Sequence, residues 1–471
     1  MWYVVGVGVV LGIVAVYDVL QTRHAILRNF PIIGHFRYLL ESIGPELRQY
    51  IVTDNDEERP FSRDQRRWVY ATSKRQNDYF GFGTDNDLEE TSNYLFIKQA
   101  TFPELDPHPG DPGYDPNYAI PSAKILGEAR GRAKAFRPSS VINISGMSYG
   151  SLSAPAIEAL NRGASIAGCW HNTGEGGVSP YHRQGADLVW QIGTGYFGCR
   201  DGKTGGFSLD RFRETIAASP EVKAIEIKLS QGAKAGLGGI VPGSKVTPEI
   251  AQIRGIEVGK ACLSPARHQA FSDVDSLLDF VELLAAESGL PVGIKSAVGQ
   301  IDFWSDLVTH MARGNRGVDF IAIDGGEGGT GAAPLVFADH VSLPFKVGFQ
   351  RVHGLFEDAG IQNKVTFIGS GKLGFPEAAF HGFALGCDIL ALAREPMLAI
   401  GCIQAQRCHS GACPTGVATQ QKWLVRGLVP EHKGARCANY ILSLRKEILR
   451  LVRACGKKHP SEISMADLEI V

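Results

Sequence analysis

Three cysteines fall within Gly401 to Gln420, GCIQAQRCHSGACPTGVATQ, spaced Cys402-x5-Cys408-x4-Cys413 with a proline directly after the third. Thiols this close can be ordinary buried side chains, a disulfide plus one, a zinc site or an iron–sulfur site. Structural zinc takes four ligands in paired short spacings. Here there is no CxxC and no second pair, and His409 is an awkward fourth ligand. Thiolates are the ligands of iron–sulfur clusters, and a proline after a ligating cysteine recurs in their motifs. Three ligands rather than four fit a cluster missing one iron, and the spacing favours that reading over the others.

A second set of residues pairs glycine with single charges. SGMSYG (145–150), NTGEGG (172–177), KLSQGAK (228–234), Lys295, DGGEGG (324–329) and GSG (369–371) each follow a short apolar run. Glycine lets a ligand approach the main chain, and clustered backbone N–H groups bind phosphate. One such cluster is a tight turn; six on one rim predict a site for a phosphate-bearing cofactor.

The elements that must carry these residues are apolar runs rich in Val and Ile: VINIS (141–145), SIAGCW (165–170), LVWQIG (188–193), AIEIKLS (224–230), PVGIKSA (291–297), VDFIAIDG (318–325), VTFIGSG (365–371) and DILALA (388–393). Continuous rather than alternating apolarity marks strands buried on both faces, as in a parallel sheet. Eight strands alternating with helix-compatible stretches predict an α/β fold, a closed (β/α)8 TIM barrel, with its functional face at the strand C-termini. A doubly wound open sheet is the alternative.

The 471 residues are 44% hydrophobic and 21% charged, ordinary for a globular chain. The 48 basic and 49 acidic residues nearly cancel, which gives no reason to expect nucleic acid as a partner. Nine scattered cysteines do not resemble a secreted disulfide framework, so a reduced, cytoplasm-facing protein is expected. Trp2 to Tyr17 carries no charge, and the run reaches Leu20 if Asp18 is tolerated. About 19 helical residues span roughly 28 Å, near the ~30 Å hydrocarbon core. Residues 1–20 are therefore expected to be a transmembrane anchor in the inner (cytoplasmic) membrane. Arg23, Arg28 and Arg37 would keep the body in the cytoplasm. An irregular extension or cap over 21–137, a barrel over 138–400, and the cysteine loop with C-terminal helices over 401–471 complete the expected organisation. Within the extension, 53–74 and 101–121 read as irregular. Phe36, Leu39, Leu40, Ile43 and Leu47 form a helical stripe for the body or a membrane surface.

Six motifs in order over about residues 138 to 430 closely resemble the FMN domain of the glutamate synthase family. They are GMSYGSLS (146–153), NTGEGG (172–177), IKLSQGAKAGLGGIVPGSKV (227–246), IAQIR (250–254), IDGGEGGTGAAP (323–334) and the cysteine loop. The resemblance implies FMN at the barrel mouth and a 3Fe-4S cluster on Cys402, Cys408 and Cys413. It places Met147, Ser148 and Gly150 along the flavin, Lys295 at its pyrimidine side, and Lys228 close by. Gly325, Gly326, Gly328, Gly329, Gly369 and Gly371, with Ala393 and Arg394, would cradle the phosphate. Glu175, Gln231, Lys234, Arg254 and Ser272 would hold 2-oxoglutarate or a related 2-oxo acid. Arg254 can grip a carboxylate with two N–H donors. Ammonia would form an imine at the 2-oxo carbon, reduced flavin would give it hydride, and Glu175 could hold the ammonia or its proton.

The chain departs from the family in places. Met1 and Trp2 stand where full-length enzymes carry an amidotransferase with an N-terminal cysteine, so nitrogen is expected from free ammonia or a separate amidotransferase. Ala235 and Leu237 replace a usual proline and glutamate, SPARHQAF (264–271) replaces a His-His-Asp set, and GGEGG replaces a His-Asp pair. These widen the expected substrates to other 2-oxo acids or amines. With no GxGxxG-type nicotinamide domain, electrons are expected from ferredoxin or a reductase through the cluster. A membrane-bound electron-transfer or redox-sensing protein without turnover is the reading from another class.

Overall fold

The computed structural model describes residues 2–50, 58–79 and 81–471, apart from the side chains of Val4 and residues 45–50. Eight parallel strands form its centre: β1 Ile142–Ile144, β2 His171–Asn172, β3 Leu188–Ile192, β4 Val222–Lys228, β5 Val292–Ser296, β6 Phe320–Asp324, β7 Thr366–Ser370 and β8 Ile389–Leu392. They close in chain order, β8 pairing with β1. Closure abolishes the sheet edges and excludes the open doubly wound alternative. Among the described residues four α-helices precede the barrel: α1 Trp2–Leu20, α2 Ala25–Asn29, α3 Ile33–Tyr50 and α4 Arg63–Ser73. Helix α5 (Ala154–Ala167) follows β1, α6 (Pro248–Arg254) precedes β5, α7 (Arg394–Ile400) follows β8, and α8 (Pro430–Ala454) is the longest.

Seven apolar runs fall on strands, and SIAGCW (165–170) does not. Ser165 to Ala167 close α5, which starts at the N-cap Ser153 and stops at left-handed Gly168. The strand is only His171–Asn172. Inside the barrel Trp170, Val189, Phe320, Ala322, Ile368 and Ile389 form a core of their own. A bridge between Leu126 and Phe136 plugs its lower end, with Phe136 and Trp170 rings 6.4 Å apart. Helix α8 lies mainly on α5, at Gly163 so closely that an added Cβ would meet Cys437 Cβ at 2.5 Å. A strand at Leu468–Ile470 pairs antiparallel with Leu95–Ile97, tying the extension to the C-terminus.

Two expectations for the extension change. Residues 53–57 lie outside the described residues, but the rest of the charged 53–74 segment holds α4, fixed by a Ser62/Gln65 capping box. No transmembrane helix is found: among the described residues, no helix is long and apolar enough to cross a membrane. The charge-free run Trp2–Tyr17 covers only about 24 Å as helix. Asp18, which ends it, belongs to the body: fully buried, it accepts from Ile32 N–H at 2.9 Å and bonds His35 Nε2 at 2.9 Å. The α3 stripe does not pack on the body either. Ile33, Phe36, Leu39, Leu40 and Ile43 are exposed, and the Leu47 side chain lies outside the described residues.

Candidate active site at the barrel mouth

The strand ends meet in register, Lys228 opposite Lys295 and Asp324 opposite Ser370. This ring floors an open cavity of roughly 500 Å3, also lined by Ser145, Gly146, Gln191, Gln231, Gly328, Gly329, Gly371, Lys372 and residues 391–395. Its polar, glycine-bordered rim suits a phosphate-bearing cofactor. Lys295 Nζ lies 3.6 Å from Asp324 Oδ1 and 3.5 Å from Ser145 Oγ. Asp324 Oδ2 also accepts from Gly232 N–H at 2.8 Å, pinning the 228–234 loop to the next strand end.

On one side the cations gather around a single acid. Glu175 Oε1 is 3.0 Å from Lys228 Nζ, which donates to Gln231 Oε1 at 3.1 Å. Gln231 Nε2 donates to Gly329 O at 2.7 Å. Burial alone would raise the Glu175 carboxyl, but Lys228, Lys234 and Arg254 outweigh it and hold it down to about 2. Lys234 is lowered to about 8 by burial and by Lys228, against the pull of Glu175. Arg254, 3% exposed, donates to Tyr149 O at 2.9 Å and Ser148 Oγ at 3.3 Å over the Phe197 ring, while its buried Nε has no partner. Three cations against one carboxylate leave an excess of two positive charges.

On the other side Arg394 Cζ and Lys372 Nζ lie 4.9 and 5.3 Å from the Phe61 ring centroid, and Arg394 donates to Glu327 O. Lys372, a cation on the Gly371 turn, went unread in the sequence although it follows GSG directly. These two cations beside Gly328, Gly329 and Gly371 form the part of the cavity suited to phosphate.

The expected residues divide. Glu175, Lys228, Gln231, Lys234 and Arg254 come together, and of these Lys228 and Gln231 reach the cavity that Lys295, Gly328, Gly329, Gly371, Ala393 and Arg394 also line. Gly325, Gly326 and Gly369 instead pack against protein: an added Cβ would meet Phe345 Cβ at 2.6 Å, Ser342 O at 2.7 Å and Cys387 Sγ at 2.8 Å respectively. Ser148 and Gly150 contact Arg254, and buried Met147 turns its carbonyl to His182, while Ser145 and Gly146 border the cavity in their place. Ser272 is exposed, its N–H bonding Ser276 Oγ at the start of the helix Val274–Ser288. His268 bonds Lys228 O at 2.9 Å and Tyr196 at 3.2 Å, its pKa lowered to about 4 by burial, so it props the Lys228 loop as a neutral ring.

Among the described residues, no three His, Cys, Asp or Glu side chains gather around one metal ion. Cys402, Cys408 and Cys413 are free thiols on one loop. Burial, then Cys413 and Cys408 nearby, push Cys402 up to about 12; burial and Cys413 raise Cys408. Cys413 is 6% exposed, and Lys245 Nζ donates to Cys408 O at 2.7 Å. The three thiols are close enough to influence one another electrostatically, and thiolate is the donor that iron–sulfur clusters take.

A sequence profile for the conserved region in glutamate synthase matches residues 124–458. The chain is 38% identical to the glutamate synthase large subunit-like protein YerD of Bacillus subtilis (strain 168), over 97% of this chain and 93% of that protein. It is 35% identical to the archaeal glutamate synthase [NADPH] of Methanocaldococcus jannaschii, over 67% of this chain and 59% of that protein. The ferredoxin-dependent glutamate synthase of Pyropia yezoensis is 30% identical over 68% of this chain, which spans 21% of that protein. With a barrel whose mouth joins these residues, and matches over most of its length, the chain belongs to the glutamate synthase family of oxidoreductases.

Proposed function

We propose that this chain makes glutamate by reducing the imine of 2-oxoglutarate and ammonia, with FMN at the barrel mouth and a 3Fe-4S cluster on Cys402, Cys408 and Cys413. The surplus of two positive charges around Glu175 carries the reading, because 2-oxoglutarate brings two carboxylates. Arg254 and Lys234 bind and orient them. Glu175, held ionised, keeps an ammonium ion beside the 2-oxo carbon. Lys228 fixes Glu175 through their 3.0 Å contact. Lys372 and Arg394 hold the flavin phosphate, and Lys295 faces the ring, where a cation favours the reduced form. Bound there, the flavin would supply hydride to the imine carbon, and the product nitrogen would take its proton from water.

Nitrogen comes from free ammonia or a separate amidotransferase, and electrons from ferredoxin or a reductase. The exposed apolar helix α1 seats the protein on the inner membrane with its body in the cytoplasm. Anaerobically purified, reduced protein should reoxidise its flavin and form glutamate when given 2-oxoglutarate with ammonium. Flavin that stays reduced with this pair and reoxidises with another 2-oxo acid or amine would overturn the substrate; flavin that stays reduced with all of them would favour electron transfer without turnover.

A further inference from the structure

Where α1 joins the body, cations outnumber the acids beside them. Lys433 on α8 is 2% exposed, its ammonium packed against Gly401, 3.2 Å from where a Cβ would stand. Among the described residues it has no hydrogen bond or ion pair through its side chain. Arg436, one turn on, is half-buried and donates to Arg23 O at 3.0 Å. His24 caps the start of α2 with its ring 5.2 Å from Tyr38. Lys74 ends α4, held beside α8 because Asn439 Nδ2 donates to Ser73 O at 3.0 Å. The acids nearby are few and shared: Glu41 pulls on Lys74 but takes both guanidinium nitrogens of Arg37 at 3.2 Å, and Glu431 faces Arg162 at 3.9 Å. Mutual repulsion is strong. Burial, then Arg436 and Lys74, lower Lys433 to about 7, and burial with Lys74, Arg436 and Lys433 takes His24 to about 4. A buried, unpaired cation is costly, and an anion removes the cost.

The geometry points to an anion site for a phosphate ester, formed by Lys433 at its base with Arg436, His24 and Lys74 around it. Its place, where His24 stands four residues beyond the apolar helix and meets Tyr38 of α3, sets it at headgroup depth if α1 meets a bilayer. An anionic phospholipid headgroup then supplies the phosphate; a free phosphate compound is the other source. The lipid source rests on the proposed membrane seat of α1, while the site itself does not.

The full chain and a Lys433→Met/Arg436→Gln variant separate these. Losing an unpaired buried cation should leave the unliganded variant at least as heat-stable as the wild type, which checks that it folds. Vesicles of phosphatidylglycerol with phosphatidylcholine should bind the wild type more tightly than phosphatidylcholine alone and raise its Tm. The variant should lose roughly fivefold in affinity for each cation removed. Inorganic phosphate that raises the Tm of the wild type and not of the variant identifies a free anion as the ligand. Wild type that binds no vesicle sinks the membrane seat and leaves the phosphate arm to decide. Equal responses of wild type and variant in both arms overturn the site.

Discussion

Arg254 shows how one residue serves fold and chemistry together. Its bonds to Tyr149 O and Ser148 Oγ hold the guanidinium still, and its unpartnered buried Nε keeps a donor for an incoming carboxylate. Lysine keeps the charge but not the fork. Arg254→Lys should therefore raise KM for 2-oxoglutarate by about 10- to 100-fold with kcat little changed, the loss of ~1.5–3 kcal/mol of charged hydrogen bonding. An unchanged KM in steady-state assays would place the dicarboxylate elsewhere. Lys234 adds a pH dependence of known sign. It is charged below about 8 and neutral above, so affinity for the dianion should fall as pH rises through that value. Glu175 favours its charged form, so Glu175→Gln should move the fall to lower pH; a profile unmoved in this variant would remove Lys234 from the site. The family motifs named Glu175, Lys228 and Arg254, and the structure brings them together, Lys228 at a strand end, Arg254 at a helix end and Glu175 on the loop after a two-residue strand. They placed Ser272 wrongly, since after SPARHQAF the chain turns outward to cap a helix.

At the scale of elements, the site depends on two loops touching. An added Cβ on Gly232 would stand 1.9 Å from Gly325 O, closer than atoms can pack. Gly232→Ala should push the 228–234 loop off the 324–329 loop, release Gln231 from Gly329, and lower kcat/KM at least tenfold for ~1–3 kcal/mol of overpacking. Normal kinetics from a folded variant would show that the loops need not meet. The extension acts on the cysteine loop the same way. Asn29 Nδ2 on α2 donates to Pro414 O at 3.1 Å and Leu424 O at 2.7 Å, and Tyr70 on α4 donates to Cys402 O at 2.8 Å. Asn29→Ala strands two carbonyls and should cost about 2 kcal/mol, read as an earlier denaturant midpoint. The barrel was legible because strands buried on both faces are written as unbroken apolar runs. The two-residue β2 left almost no pattern. The clamps of α2 and α4 join residues more than 300 positions apart and leave no local signal.

Across the whole molecule, one short helix joins the two redox candidates. Helix α7 begins with Arg394 at the cavity and ends at Ile400, two residues before Cys402, so its seven residues separate the flavin site from the cysteine loop by about 10 Å. Its flanks are fixed, Glu395 accepting from Gly374 N–H at 3.2 Å and Tyr70 holding Cys402 O. Electrons entering at the loop then need no domain movement to reach the barrel mouth. Of the proposed cluster ligands Cys408 is the one to remove, because Lys245 grips its carbonyl and keeps the backbone in place when the sulfur is gone. Cys408→Ser should lose iron and sulfide while keeping FMN, because no thiol borders the cavity. In that variant dithionite should still reduce the flavin directly, whereas reduction by ferredoxin or a reductase should slow by at least tenfold. Ferredoxin-driven reduction at the wild-type rate, in protein shown to lack iron, would mean that electrons enter at the barrel mouth and bypass the cysteine loop.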